Sequence, residues 1–524
     1  MIASARGHRL GDLLRRSAAR DPGKTALVYG NLRQTFAELD ETVNRTANAL
    51  AERGVTKGDH VALLSHNNHA FVVIRFALAR LGAVVVPINF MLNAGEIAYI
   101  LENAEAVGMV VEDALAGTAD AAIGQAGVAL KVRGAIREKL EGVPEGWECV
   151  QDWMTHADAT EPDVDVEDDA PVQMLYTSGT ESRPKGALLS ARSLYAHYTS
   201  CIADGEMSAA DVEIHSLPLF HCAQLDCFLT PDLYLGATSI VLPAPDAATL
   251  LKTIAEEKVT KLFCPPTVWI ALLRHPDFDK TDLSTLRRGY YGASIMPVEI
   301  IKELHARIPG IRLFNFYGQT EMSPVATVLK PEDQMRKLGS AGRPAINVET
   351  RVVDDDDRPV PPGTVGEIVH RSPHITLGYW KNPEKTAEAF RNGWFHSGDL
   401  GVMDEEGYLT VVDRKKDMIK TGGENVASRE VEEIIFTHPA VSEVAVFGVA
   451  HPKWIEAVMA VIVPRPGLSI AEAEILQYCR ERMAGYKAPK LVKVVDSLPK
   501  NASGKILKRD LRNAYADLGS GLGG

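Results

Sequence analysis

Over residues 36–53 the apolar positions Phe36, Leu39, Val43, Ala47, Leu50 and Ala51 recur mostly every three or four residues, a spacing that predicts an amphipathic helix. A short apolar run at 61–64 follows and predicts a strand. The same order returns at 71–81 (helix) with 83–87 (strand), and at 247–256 (helix) with 261–263 (strand). Helix and strand repeating in this order predict parallel α/β layers.

An acidic run at 163–169 and Pro171 precede another strand-like segment at 172–176, so a solvated linker is expected there. Around 350–367 short β runs alternate with Asp354–Asp357 and Pro361-Pro362-Gly363, which predicts a smaller β-rich subdomain. The charged block Asp413-Arg-Lys-Lys-Asp417 marks a further change. Beyond it lie a helix (428–438), two strands (444–449 and 457–464) and a second helix (471–484), enough for a separate unit. The expected class is α/β. A large N-terminal domain (1–412) of layered α/β subdomains plus the β-rich one is followed by a small α+β C-terminal domain (413–524). The Gly- and Ser-rich end, 518–524, is expected to be disordered.

Composition narrows the function classes. The 524 residues carry 56 Lys+Arg against 69 Asp+Glu, a net charge of −13, so the overall field repels nucleic acid as a polymer partner. Six cysteines without a Cys-x-x-Cys pair fit neither a disulfide scaffold nor a zinc site, and point to a reducing, cytoplasmic setting. The first 20 residues contain arginines but no uninterrupted apolar core of signal-peptide length. The most apolar stretch, 70–90, is broken by Arg75 and Arg80, so no integral membrane span is expected.

Candidate chemistry begins at Tyr176-Thr-Ser-Gly-Thr-Glu-Ser-Arg-Pro-Lys-Gly186, after a predicted strand. Hydroxyls at Thr177, Ser178 and Thr180, the flexible Gly179 and the ammonium of Lys185 can together wrap phosphate oxygens. Taken alone the segment reads equally well as a surface turn, and it lacks the Gly-Lys-Ser/Thr of a Walker loop.

This string resembles the phosphate-binding signature of the adenylate-forming superfamily, which comprises acyl-CoA synthetases, peptide-synthetase adenylation domains and luciferases. Five further segments match in the family's order: Leu217-Pro-Leu-Phe-His221, Tyr317-Gly-Gln-Thr-Glu321, Trp394-Phe-His-Ser-Gly-Asp399, Asp413-Arg-Lys-Lys-Asp-Met-Ile-Lys420 with Gly422-Gly-Glu-Asn-Val426, and Pro499-Lys-Asn-Ala-Ser-Gly-Lys505. The resemblance runs from about Leu10 to Leu511.

It implies ATP, CoA and a small carboxylic acid as substrates and Mg²⁺ as cofactor. ATP is then met by Thr177, Ser178, Gly179, Thr180 and Lys185, by Gly292-Ala293-Ser294 along the adenine, and by Asn315, Phe316, Tyr317 and Gly318 on its other face. Asp399 and Arg414 are implied at the ribose, with Val411 nearby. Glu321 and Thr180 are implied for Mg²⁺, a hard ion that takes oxygen ligands. Thr320, Glu321, His221, Lys420 and Lys505 are implied in catalysis. A cation at Lys505 can stabilise charge building on the α-phosphate. Lys416 is implied as the hinge of a mobile C-terminal domain, and Gly422, Gly423 and Glu424 at CoA. Two departures stand out: Glu181-Ser182 where the family usually has Thr-Gly, and Lys453 where it often has Asp.

The activity implied is an ATP-dependent acyl-CoA synthetase forming an acyl-adenylate and then a thioester. His221 stands where amino-acid-activating relatives place an acidic residue, so amino acids are disfavoured. Around it Cys222 and Leu225 are apolar and Gln224 is polar, and a medium- or long-chain fatty acid is the first expectation. Aromatic, dicarboxylic or short acids come second, and transfer to a carrier protein or an amine third. No carrier-domain motif is evident, and monomer or homodimer stays open.

Overall fold

The computed structural model describes residues 7–177, 183–292, 296–501 and 506–521. Among them the chain forms a nine-stranded sheet, an eight-stranded sheet and two five-stranded sheets. The predicted helices and strands are present with small changes at their ends. Helix Phe36–Glu52 starts at a capping box in which Thr35 Oγ1 accepts from Glu38 N–H at 3.2 Å and the Glu38 carboxylate accepts from Thr35 N–H at 2.8 Å. Helix His69–Leu81 is capped by Asn68, whose Oδ1 accepts from Phe71 N–H at 2.9 Å.

The two large sheets share one core. Leu27 of strand Thr25–Tyr29 in the nine-stranded sheet and Val61 and Val85 of strands His60–Leu64 and Val84–Ile88 in the eight-stranded sheet meet in it through these two helices. Helix His69–Leu81 is buried on nearly every side, including Arg75 and Arg80. An apolar helix with two embedded arginines is therefore a sheet-to-sheet spacer.

Arg75 is compensated inside that core. Its guanidinium donates to Asp226 Oδ1 at 2.7 Å, Gln173 Oε1 at 3.0 Å and the Tyr198 hydroxyl at 3.1 Å. Gln173 Nε2 and Tyr198 OH in turn donate to the two Asp226 oxygens at 2.7 and 3.1 Å. Asp226 lies in a π-helical turn, Leu225–Leu229, whose extra residue per turn breaks the regular spacing of the helix around it.

In the nine-stranded sheet, strands Val212–His215, Lys261–Phe263, Arg288–Gly292 and Arg312–Gly318 run parallel. In the eight-stranded sheet Pro171–Thr177 runs parallel to Val84–Ile88. The β-rich sheet joins Glu349–Val353, Gly366–Arg371, Trp394–Met403, Phe390–Arg391 and Leu409–Arg414. Its last strand carries on past residue 412, because Arg414 still pairs with Asp399. The structural change follows Arg414, slightly later than the sequence pattern predicts.

The last sheet joins strands Ile419–Thr421, Glu424–Val426, Val441–His451, Ile455–Pro464 and Leu491–Val494, with helices Ser428–Phe436, Glu472–Arg480 and Lys508–Ala514 against it. It touches the preceding part through Ser428 N–H to Asp413 Oδ2 (2.7 Å), Arg429 to the carbonyls of Gly339 (3.0 Å) and Val411, and Phe436 on the core around Ile300. The expectation of a disordered end is corrected in part. Residues Ala516–Gly521 form a 3₁₀ turn, and Leu518 packs beside Val449 because an apolar strand face would otherwise stay open. Residues 522–524 lie outside the described residues.

Removing one member of a buried ion pair leaves the other uncompensated, at about 3–5 kcal/mol, whereas apolar replacement of both is often neutral. Asp226→Ala is accordingly expected to lower the thermal unfolding midpoint strongly, and the double change Arg75→Met with Asp226→Leu to recover most of it, as calorimetry would read.

Candidate active site

The candidate residues converge where the parallel strands of both large sheets end, the usual ligand position in open α/β sheets. Thr177 closes strand Pro171–Thr177, and its hydroxyl reaches the Lys185 carbonyl at 3.5 Å. Lys185 opens the antiparallel partner strand Lys185–Ser190, with its ammonium 4.4 Å above the Tyr379 ring. Ser178, Gly179, Thr180 and the departure at Glu181-Ser182 lie outside the described residues, as do Ala293, Ser294 and Lys505.

Tyr379 is a partner of Glu321 that sequence reasoning missed. Its hydroxyl donates to Glu321 Oε1 at 2.7 Å, and Thr376 N–H donates to the Glu321 carbonyl at 2.8 Å. Burial, then the neighbouring Glu321 carboxylate, push the Tyr379 phenol upward, so it stays a donor. Glu321 is thus a half-buried carboxylate held in place by one oxygen. A hard oxygen ligand of this kind suits Mg²⁺. Beside it Thr320 Oγ1 lies 3.5 Å from the Cys222 thiol. Burial pushes that thiol up to about 12, which favours its protonated, less nucleophilic form.

Strands Arg288–Gly292 and Arg312–Gly318 approach closely at their ends. Gly292 pairs with Phe316, and a Cβ on Gly292 would lie 2.3 Å from the Phe316 carbonyl oxygen. Only glycine fits there. Asn315 donates from Nδ2 to the Ser340 carbonyl at 3.0 Å, and Gly318 ends the same strand, Arg312–Gly318.

Asp399 gathers the next cluster. Its Oδ2 accepts from Tyr317 OH at 2.7 Å and Gln319 Nε2 at 2.9 Å. Its Oδ1 lies 3.4 Å from Arg414 Nε but makes no hydrogen bond among the described residues, although the atom is buried. A buried acceptor without a hydrogen bond beside a cation is a place for a ligand hydroxyl. Burial first, then the Asp399 charge, raise the Tyr317 phenol, which also remains a donor. Gln319, inside the Tyr317–Glu321 motif, was not singled out from sequence. Its role appears only once the strand Trp394–Met403 comes alongside.

His221 caps the short helix Cys222–Gln224, with Nδ1 accepting from Ala223 N–H at 3.1 Å. In a neutral ring that assigns the proton to Nε2. A small, mainly apolar cavity adjoins it, lined by Leu217, Pro218, His221, Ala223, Gln224, Phe263 and Pro265. Of the predicted pocket residues, His221 and Gln224 line it. Leu225 packs into the core shared by the sheets, and Cys222 turns toward Thr320.

In the C-terminal unit Thr421 and Glu424 pair across Gly422-Gly423, whose φ values are +61° and +89°. Positive φ at both positions is the type I′ hairpin turn, which glycine adopts without strain. Lys420 is exposed, and its N–H donates to Glu456 Oε2 at 2.7 Å. Lys416 is exposed in the crossing between the units, where Lys415 N–H holds the Gly398 carbonyl at 2.9 Å and Asp417 pairs with Arg512 at 2.8 Å. Val411 lends its carbonyl to Arg429.

Residues 14–380 match the family described as AMP-binding enzyme, and residues 430–505 match its C-terminal domain. The chain belongs to the AMP-binding enzyme family. Its acyl-CoA ligase branch, with ATP and CoA as substrates of an AMP-forming acid–thiol ligase, follows from the relatives. This AMP-binding enzyme is 38% identical to a feruloyl-CoA synthase of Amycolatopsis, over 97% of the chain and 100% of the relative. It is 37% identical to the indoleacetate–CoA ligase of Aromatoleum aromaticum (97% and 98% covered), and 35% identical to the long-chain-fatty-acid–CoA ligase FadD13 of Mycobacterium tuberculosis (97% and 98%). Among solved structures, the anthranilate CoA ligase AuaEII in complex with anthranoyl-AMP superposes with a TM-score of 0.91 at 29% identity, covering 100% of both chains. The layered α/β architecture of the AMP-binding enzyme, with a large N-terminal and a small C-terminal part, matches these structures. No helix among its described residues is long and apolar enough to cross a membrane.

Hydrogen bonds to a charged partner are worth about 1.5–3 kcal/mol. Asp399→Ala in this AMP-binding enzyme is therefore expected to raise the KM for ATP by about ten- to a hundredfold while leaving the KM for the acid nearly unchanged, as initial rates of pyrophosphate release would show.

Proposed function

We propose that this ligase activates an aromatic carboxylic acid and transfers it to CoA. The observation that carries the reading is the similarity over 97% of the chain to ligases named for feruloyl and indoleacetate. The solved relative named for anthranilate supports the same choice. The small cavity beside His221, walled by Phe263, Pro265 and Leu217 and backed by Gln224, offers mainly apolar surface to the hydrocarbon part of the acid. The apolar residues beside His221 had favoured a fatty acid, and the FadD13 similarity keeps that as the second reading.

In the first half-reaction a carboxylate oxygen attacks the α-phosphorus of ATP. The bond to pyrophosphate breaks, and an acyl-adenylate forms. Thr177, Ser178, Gly179, Thr180 and Lys185 hold the phosphates, and Lys505 meets the charge growing on the α-phosphate. Asp399 and Arg414 take the ribose. Gly292, Ala293 and Ser294 line one face of the adenine, and Asn315, Phe316, Tyr317 and Gly318 the other, with Val411 nearby. Glu321, steadied by Tyr379, and Thr180 would hold Mg²⁺, which when bound neutralises phosphate charge.

In the second half-reaction the CoA sulfur attacks the acyl carbonyl, the anhydride bond breaks and AMP leaves with its electron pair. Residues 413–524 act as a mobile lid that turns about Lys416 in the cytoplasmic enzyme. The hairpin Gly422-Gly423-Glu424 and Lys420 then face CoA. His221 and Thr320 frame the carboxylate end of the acid.

Pyrophosphate release measured over hydroxycinnamic, indolylacetic and benzoic acids and over fatty acids of four to sixteen carbons tests the substrate. Aromatic acids are expected to exceed the best fatty acid by at least about tenfold in kcat/KM. A maximum at the long fatty acids would replace this reading by the second. Lys505→Ala is expected to slow adenylation by about two to three orders of magnitude, yet to leave thioester formation from supplied acyl-adenylate largely intact. Gly423→Val is expected to do the reverse.

A further inference from the structure

Directly behind the acyl cavity lies a chain of polar groups that the reaction does not use. Gln224 is fully buried, with both ends of its amide engaged. Oε1 accepts from Leu217 N–H at 3.4 Å, and Nε2 donates to His215 Nδ1 at 2.8 Å. A neutral His215 then carries its proton on Nε2, which faces Asp232 Oδ2 at 3.5 Å. Asp232 Oδ1 lies 2.5 Å from Lys261 Nζ, and Lys261 lies 2.7 Å from Glu213 Oε2. All five side chains are sealed from solvent.

Burial holds the His215 imidazole below its ordinary value. Burial also pushes Glu213 up, against the pull of the neighbouring Lys261 ammonium. Against its own burial, Lys261 is carried above the ordinary lysine value by Asp232 and Glu213. One cation thus faces the carboxyl groups of both Asp232 and Glu213. Glu213, His215 and Asp232 have a spacing that could hold a metal ion, but the Lys261 ammonium already supplies the positive charge there.

Buried ionic networks add little net stability, and their best-attested use is to specify one arrangement among several. Here the elements joined are also the cavity walls. Strands Val212–His215 and Lys261–Phe263 pair through Glu213 and Lys261, and they lead directly into Leu217 and Phe263. Asp232 adds the helix Thr230–Leu235 from below.

We propose that Lys261, Asp232 and His215 are positioning residues that pin Gln224 as the floor of the acyl cavity and so limit its depth. The pinned amide closes the cavity on that side. A longer chain must push Gln224 off His215, leaving a buried amide and a buried imidazole unpaired, which is a strong basis for rejection. The inference rests on the aromatic-acid reading and says how that selectivity is built.

The test compares kcat/KM for ferulic and decanoic acids in the wild type, in Gln224→Met, which keeps the length but loses the amide, and in His215→Ala, which removes the tether from the other side. Both variants are expected to lower the ferulate-over-decanoate ratio by about tenfold, through a lower KM for decanoate. If His215→Ala does not fold, as judged by circular dichroism, Gln224→Met decides alone. A folded variant whose rates fall equally for both acids, with the ratio kept, would overturn the positioning role. A wild type that itself prefers decanoate would overturn the aromatic reading, an outcome visible without any variant.

Discussion

The buried ion pair between Arg75 and Asp226 is the constraint on which the rest of the molecule hangs. A guanidinium in the middle of an apolar helix is tolerable only if every element around it brings an oxygen to meet it. Gln173 comes from strand Pro171–Thr177, Tyr198 from helix Ala191–Asp204, and Asp226 from the π-turn Leu225–Leu229. One cation therefore ties a strand, a helix and the π-turn to helix His69–Leu81. The π-turn is part of the same solution, since it lets Asp226 face the core while His221 and Gln224, a few residues earlier, line the cavity.

Around that fulcrum the cleft is made by groups that hold other groups still. Tyr379 steadies Glu321, while Tyr317 and Gln319 steady Asp399. The two phenols stay neutral because burial disfavours their charged form, and the Gln319 amide has none. Preorganisation of this kind removes the cost of ordering side chains at the moment of reaction. The contacts of Ser428 and Arg429 across the two parts of the chain are polar, and Phe436 adds an apolar one.

Much of the fold was legible from local pattern. Helix Phe36–Glu52 and strand Lys261–Phe263 were readable from periodicity and length, because their apolar faces and caps lie within a few residues of each other. The strand Leu409–Arg414 ran past its expected end because its partner, Asp399, is not a neighbour in sequence. For the same reason the Gly- and Ser-rich end, 518–524, was read as disordered: its composition says nothing of the apolar strand that receives Leu518.

By itself the sequence determined the class of the fold, the family and the residue types gathered for nucleotide chemistry, since short motifs carry their own turns and functional groups. Only the tertiary structure decided which way each side chain points. Gln224 and Asp226 stand two positions apart in a mostly apolar run; one lines the cavity beside His221, and the other sits in the core against Arg75. Tyr379 meets Glu321 across 58 positions, and Gln319 meets Asp399 across 80. Hydrogen bonds of this reach depend on which strands lie side by side, and composition or periodicity within any one segment holds no record of that.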